Sequence, residues 1–340
     1  MKTSAVAVKK FHANQAPKLV ATVPAVKPYA EFTSNTALRG RDITNIDELT
    51  AAEINLILDC AMALKVNPKD PAQKEIATGK TLAMLFEKPS LRTRVTFEVG
   101  MYQLGGTALF LEGKLGVREA VSDIASNLDR WVDCIMARTF EHSTVTELCK
   151  YAGIPVINGL SNIEHPCQAL ADVLTIKEHK GTFKGLNVVY VGDANNVANS
   201  LMLAVLKLGG NFTIACPTAF LPSEDMIYAA AAAASQSGAK VRVVHDPIEA
   251  VQGADVVYTD TWVSMGQEHE TEMRKKVFSA FQVNSTTVSY AKPDAIVMHC
   301  LPAHRGHEIT DEELDGPNSV VLDQAENRLH AQKAILTLIL

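Results

Sequence analysis

Thr81-Leu82-Ala83-Met84-Leu85-Phe86-Glu87-Lys88-Pro89-Ser90-Leu91-Arg92-Thr93-Arg94-Val95-Thr96-Phe97-Glu98 passes from a strand-length apolar run to helical spacing. Residues 81–86 are almost wholly apolar. After the loop, Leu91, Val95, Val99 and Tyr102 recur at helical intervals, and Gly105-Gly106 ends the pattern. Pro89 closes the loop and Ser90 suits the N-cap, so Leu91, Arg92 and Thr93 fall in the first turn. A helix N-terminus offers unpaired N–H groups and a partial positive charge, which attract phosphate. Here the first turn adds a guanidinium and two hydroxyls. A cation at this end opposes the helix dipole, so stability alone does not explain it, and an arriving anion removes the conflict. Against a solvated basic turn, the anion site is the stronger reading.

The same alternation continues on both sides. Thr50-Ala51-Ala52-Glu53 is a capping box, followed by an apolar face of Ile54, Ile57, Leu58, Ala61 and Met62. Residues 107–111 predict a second strand. Val117, Val121, Ile124, Ala125, Leu128, Trp131 and Val132 form a helix stripe, and residues 134–137 predict a third strand with Arg138 at its end. Thr144 is the expected cap of another helix and residues 154–157 a fourth strand. A second unit begins after Lys184-Gly185, with a strand at 186–191, a turn Gly192-Asp193-Ala194-Asn195-Asn196 and a helix over 197–208. Further strands are expected at 212–215, 241–244, 256–259 and 296–298. Alternation at these lengths gives an α/β protein of two doubly wound parallel-sheet domains.

In such sheets ligands bind beyond the carboxyl ends of the strands. Ser90, Arg92 and Arg138 all fall there. The 192–196 turn has the context of a dinucleotide site but lacks the G-x-G-x-x-G glycines, so NAD binding is not expected. In His165-Pro166-Cys167-Gln168, Pro166 suits the first helical position. That makes His165 the N-cap and puts Gln168 one turn on. Taken alone, such a His is more often a cap than a catalyst. Asp260 at a strand end reads alone as a loop cap, Cys300 as a structural thiol and residues 323–333 as an amphipathic helix.

The 340 residues suggest two domains of ordinary size. A net charge of −6 argues against a broad nucleic-acid surface, and no apolar run reaches the length of a membrane span. The six cysteines are scattered without CxxC or zinc-type spacing, which indicates a reduced, cytoplasmic protein and no metal site. Residues 1–29 hold five lysines and no acidic residue. A flexible extension over 1–36 is the expected reading, with an organellar transit peptide as the alternative, although no Arg precedes Arg39.

Ser90-Leu91-Arg92-Thr93-Arg94 after Phe86-Glu87-Lys88-Pro89 resembles the carbamoyl-phosphate loop of transcarbamylases. His165-Pro166-Cys167-Gln168, Asp260 with Ser264-Met265-Gly266, and His299-Cys300-Leu301-Pro302 narrow the resemblance to the ornithine carbamoyltransferase branch. It covers residues 37–340. It implies a carbamoyl-phosphate domain at 37–180, an ornithine domain at 181–322 and a C-terminal helix at 323–340 returning to the first domain. It further implies that Ser90, Leu91, Arg92, Thr93, Arg138, His165, Gln168, Cys300, Leu301 and Arg328 bind carbamoyl phosphate. Asn196 (rather than Asn195), Asp260, Ser264 and Met265 would bind L-ornithine. Arg92, Arg138, His165, Cys300 and Arg328 would be the catalytic set, acting by direct transfer to give citrulline without metal or organic cofactor. Leu91 departs from the usual Thr. Lys114 stands where many relatives have a Gln reaching a neighbouring subunit, so the resemblance also implies a homotrimer or a multiple of trimers. Putrescine as acceptor, or a catalytically silent relative, are the alternatives.

Overall fold

The computed structural model describes residues 27–340 except 265. In chain order the first half carries α1 (Ala30–Thr33), α2 (Ala51–Val66), β1 (Thr81–Phe86), α3 (Leu91–Leu104), β2 (Thr107–Glu112) and α4 (Val121–Leu128). It continues with β3 (Cys134–Arg138), α5 (His142–Tyr151), β4 (Val156–Leu160) and α6 (Pro166–Lys180). The second half carries β5 (Asn187–Val191), α7 (Asn196–Lys207), β6 (Asn211–Ala215), α8 (Glu224–Ser237), β7 (Val241–Val244), α9 (Pro247–Val251) and β8 (Val256–Thr259). It ends with α10 (Thr271–Phe278), α11 (Ser285–Val288), β9 (Ile296–His299), α12 (Asp311–Leu314) and α13 (Val321–Ile339).

Two parallel sheets result, ordered β2-β1-β3-β4 and β7-β6-β5-β8-β9. Each contains one point where successive connections leave to opposite sides, between β1 and β3 and between β5 and β8. The crevices of doubly wound sheets open at such points. Arg138 ends β3, Asn195 and Asp260 follow β5 and β8, and Arg92 lies in the first turn of the helix after β1. Helix α13 returns to pack on α2, α3 and α6 of the first domain. It is buried over most of its length, including Gln324, Asn327, Arg328 and Lys333. One apolar core runs from Leu82 and Phe97 through Leu170 and Val173 of α6 to Leu201 and Tyr190 of the second unit. Helices α6 and α13 therefore join the two sheets through packed side chains rather than through a linker.

Several local expectations are corrected. Leu91, Val95 and Tyr102 mark the outer face of α3, with Tyr102 69% exposed, whereas Thr93, Phe97, Gly100, Met101 and Leu104 face the core. The stripe from Val117 to Val132 is a helix only over α4, and Val117 and Trp131 lie outside it at 71% and 70% exposure. Helix α5 starts at His142, two residues before Thr144, with no side-chain cap, and β4 starts at Val156 rather than 154. Of the extension expected over 1–36, residues 1–26 lie outside the described residues. Within residues 27–36, α1 places Phe32 in the core beside α13.

Candidate active site

The site is built from the α3 N-terminus outward. Ser90 caps α3, its hydroxyl accepting from Thr93 N–H at 3.3 Å, so the backbone turns Arg92 toward the end of β3. Phe86 pairs with Arg138 across the β1–β3 ladder, which brings the two arginine-bearing strand ends side by side. Arg328 comes from α13, and its Nη2 donates to Thr93 Oγ1 at 2.8 Å while Nη1 donates to Gln168 Oε1 at 2.7 Å. Arg138 and Arg328 are buried, and burial with the neighbouring guanidiniums lowers the pKa of Arg138. Burial also lowers Arg92 and Arg328. No carboxylate forms an ion pair with any of the three among the described residues. Arg138 Nε and Arg328 Nε have no hydrogen-bond partner there either. A buried charge without a partner is costly, so the arrangement is that of an anion site in waiting.

His165 is the N-cap of α6 by position, with Pro166 at the first helical turn, but its side chain caps nothing. Instead the buried imidazole stands beside the arginines, and burial, then Arg328, Arg138 and Arg92, hold its pKa well below the usual histidine range. Neutral imidazole keeps one N–H donor and one lone pair, and Nδ1 has no protein partner. Its backbone N–H donates to Ser200 Oγ of α7 at 2.8 Å, so the second domain fixes the turn that carries it.

The opposite wall belongs to the second sheet. Asp260 follows β8; its Oδ1 accepts from the Cys300 thiol at 3.0 Å and from Thr261 N–H at 2.7 Å, and its Oδ2 from Asn195 Nδ2 at 2.9 Å. Asn195 is also the α7 cap, its Oδ1 accepting from Val197 and Ala198 N–H. Asn196 lies on the cavity wall and donates to Ser161 O at 2.6 Å. Burial, then Asp260, pushes Cys300 well above the usual thiol range. It is a protonated donor rather than a thiolate nucleophile. Leu301 follows with φ of +56° before a cis peptide to Pro302.

Between the walls lies a cavity of about 740 Å³ lined by Ser90, Leu91, Arg92, Arg138, His165, Gln168, Asn196, Asp260, Ser264, Cys300, Leu301 and Arg328. Two sequence candidates are not brought to it. Thr93 is fully buried behind the wall and holds Arg328. Lys114 is exposed in a separate depression with Arg118 and Glu119, away from the cavity of its own chain. Met265 lies outside the described residues. Asp260, His299 and Cys300 place ligand-type atoms within 4.8 Å of one another. His299 nevertheless uses Nδ1 to accept Leu301 N–H at 2.9 Å and Nε2 to meet Glu308 at 3.1 Å, so its ring nitrogens are already engaged.

Sequence reading missed the support of the amine-side wall. Arg274 of α10 donates to Asp193 Oδ2 at 2.7 Å and to Trp262 O at 2.9 Å, tying the loop after β8 to the turn after β5. It also missed Asp172, Tyr258 and Gln324, which meet beneath the cavity. The only signal for Asp172 was its helical offset of four from Gln168, which is ambiguous without the fold.

Two parallel sheets that face each other across a cationic wall and a carboxylate wall define a two-domain α/β protein with room for two ligands. The chain belongs to the aspartate/ornithine carbamoyltransferase family. The family model for its carbamoyl-P binding domain matches residues 41–178, and that for its Asp/Orn binding domain matches residues 184–339. It is 54% identical over 307 residues to the ornithine carbamoyltransferase of Thermococcus kodakarensis, covering 89% of this chain and 98% of that one. The solved ornithine carbamoyltransferase of Pyrococcus furiosus is 55% identical with a TM-score of 0.86, over 89% of this chain and 97% of the other. A solved acetylornithine transcarbamylase complexed with acetylcitrulline is 32% identical, with a TM-score of 0.80, over 88% and 99%.

Proposed function

We propose that this protein is an ornithine carbamoyltransferase, moving the carbamoyl group of carbamoyl phosphate to the δ-amine of L-ornithine. One observation carries the reading: three guanidiniums converge on one cavity wall with no carboxylate paired to them. Arg92 and Arg138, with Ser90 and the backbone N–H groups of the first α3 turn, bind the phosphate and stabilise it as it leaves. His165 donates from its neutral ring to the carbonyl oxygen, where negative charge grows as the amine attacks, and Arg328 shares that charge. Thr93 acts through Arg328. Gln168 and the Leu301 carbonyl orient the carbamoyl amide.

The neutral δ-nitrogen forms the new C–N bond, the C–O bond to phosphate breaks with its electron pair, and the departing phosphate takes up the proton the nitrogen loses, giving citrulline and phosphate. Asp260 pairs with the α-ammonium group of ornithine, and Ser264, Met265 and Asn196 complete that subsite. The protonated Cys300 contacts the substrate chain without bonding to it. Much of the acceleration comes from holding the two reactants together, and no metal or organic cofactor is called for. The incubation that tests this supplies carbamoyl phosphate and ornithine. Citrulline and phosphate should appear in equal amounts, and phosphate release without citrulline contradicts the reading.

The assembly in this reading is a homotrimer or a multiple of trimers, with Lys114 directed to a neighbour's cavity. Support comes from apolar side chains left outside the core, Val95 and Tyr102 on α3 and Leu109 and Leu111 on β2. No nucleic acid or membrane partner is involved. Among the described residues no helix is long and apolar enough to cross a membrane. Six free thiols support a reducing, cytoplasmic setting.

A further inference from the structure

Beneath the cavity the two domains meet in a polar cluster that reaches the cavity wall only through Gln168. Asp172 on α6 is fully buried. Its Oδ1 accepts from Gln168 Nε2 at 2.7 Å and from Gln324 Nε2 of α13 at 2.8 Å. Its Oδ2 accepts from the Tyr258 hydroxyl of β8 at 3.0 Å. Gln324 Oε1 in turn accepts from His299 N–H of β9 at 2.9 Å. Tyr258 also faces the Cys300 thiol. One carboxylate thus connects α6 and α13 to β8 and β9, the strands that lead into Asp260 and Cys300.

We infer that Asp172 is a positioning residue: it fixes the amide orientation of Gln168, and through that amide the guanidinium of Arg328, while bracing Tyr258 under the amine-side wall. A glutamine amide fits a pocket either way round, and only its hydrogen-bond partners decide between the two. Arg328 can only donate, so it requires Oε1; Asp172 Oδ1 accepts, so it requires Nε2. With both present a single orientation satisfies every atom. Removing the acceptor frees the amide, and the flipped form sets an NH2 against the guanidinium.

Burial, opposed by the three hydrogen bonds, pushes the Asp172 carboxyl up to about 7. The titratable groups facing it are Arg328 from α13, Tyr258 from β8 and Cys300 after β9. A proton taken up near neutrality sits on Oδ2, toward Tyr258, because Oδ1 already receives two donors. Oδ1 therefore remains an acceptor in both protonation states, and a neutral amide that keeps this oxygen should serve in its place.

This inference rests on the assignment of carbamoyl phosphate to the arginine wall, and the test is a double-mutant cycle read by calorimetric titration of carbamoyl phosphate. Asp172→Ala should raise the Kd roughly 30-fold, an effect in the range of a charged hydrogen bond. Asp172→Asn should recover at least about tenfold of that loss, within the same range. In a Gln168→Ala background, Asp172→Ala should change Kd by no more than about twofold, since it acts through the missing amide. A double variant weakened by the product of the single effects, or an Asn variant no better than Ala, overturns the proposal. Tyr258→Phe keeps both Oδ1 contacts and serves if Asp172→Ala does not fold. It should raise the KM for ornithine severalfold and leave that for carbamoyl phosphate within about twofold. An equal rise in both contradicts the separate bracing role. Wild-type protein that binds carbamoyl phosphate but makes no citrulline would contradict the proposed function while leaving the cycle readable.

Discussion

At the scale of the residue, an unpaired buried guanidinium is a cost that the native state carries until an anion arrives. In the proposed reaction Arg92→Ala removes one of two leaving-group cations, and kcat should fall by about two to four orders of magnitude, in line with loss of a charge-stabilising donor. Steady-state rates near those of wild type would end that assignment. His165 follows the opposite logic, because burial and then its cationic neighbours disfavour its charged form. Its folded-state pKa lies below the usual value of about 6.5, so below that pH the unfolded chain binds the proton more readily and stability falls. Between pH 7.5 and 5.5 the Tm of wild type should therefore drop further than that of His165→Gln, as thermal melts in matched buffers can show. Which residues could be read from sequence follows from distance along the chain. Ser90, Leu91 and Arg92 share one helical turn, and Asp260 sits at a recognisable strand end. The Thr93–Arg328 contact spans 235 positions and the Gln324–Asp172 contact 152, so only folding brings them together.

At the scale of the element, the residue that caps α3 is also one of the proposed phosphate ligands, Ser90. Ser90→Ala removes the cap on Thr93 N–H and should cost about 1 kcal/mol by urea denaturation, a loss typical of an N-cap. An unchanged midpoint would mean the cap contributes nothing. At its other end Gly105 has φ of +89°, and a Cβ there would lie 1.7 Å from Lys74 O. Gly105→Ala should therefore destabilise by more than the ~1 kcal/mol of a helix-cap glycine alone, because the backbone must move. Strand and helix identities were legible because a doubly wound sheet repeats its pattern. Which face of α3 lies inward was not, since Val95 and Tyr102 are as apolar as the residues that pack. The stripe beginning at Val117 failed similarly, because periodicity continued into loop residues on either side of α4.

At the scale of the whole molecule, the cavity exists only because α6 and α13 lock two sheets together with their switch points facing. A single sheet would supply either the cationic wall or the carboxylate, never both. The exposed side chains of α3 and β2 bear on assembly. Sedimentation of the intact chain should give a mass three times 36.8 kDa, or a multiple of it. Tyr102→Asp combined with Leu109→Asp should shift it toward monomer, and a monomeric wild type would contradict the trimer.

The most direct measurement offers ornithine, putrescine and N-acetylornithine in parallel, with carbamoyl phosphate saturating, and follows ureido products. In the proposed reading Asp260 pairs with a free α-ammonium group, which putrescine lacks and acetylation removes. Turnover with ornithine should exceed that with either other amine by at least about 100-fold, as expected where a site built to bond a substrate N–H meets an analogue that lacks it. Equal or faster reaction with putrescine or N-acetylornithine would leave the arginine wall standing and contradict the role given to Asp260.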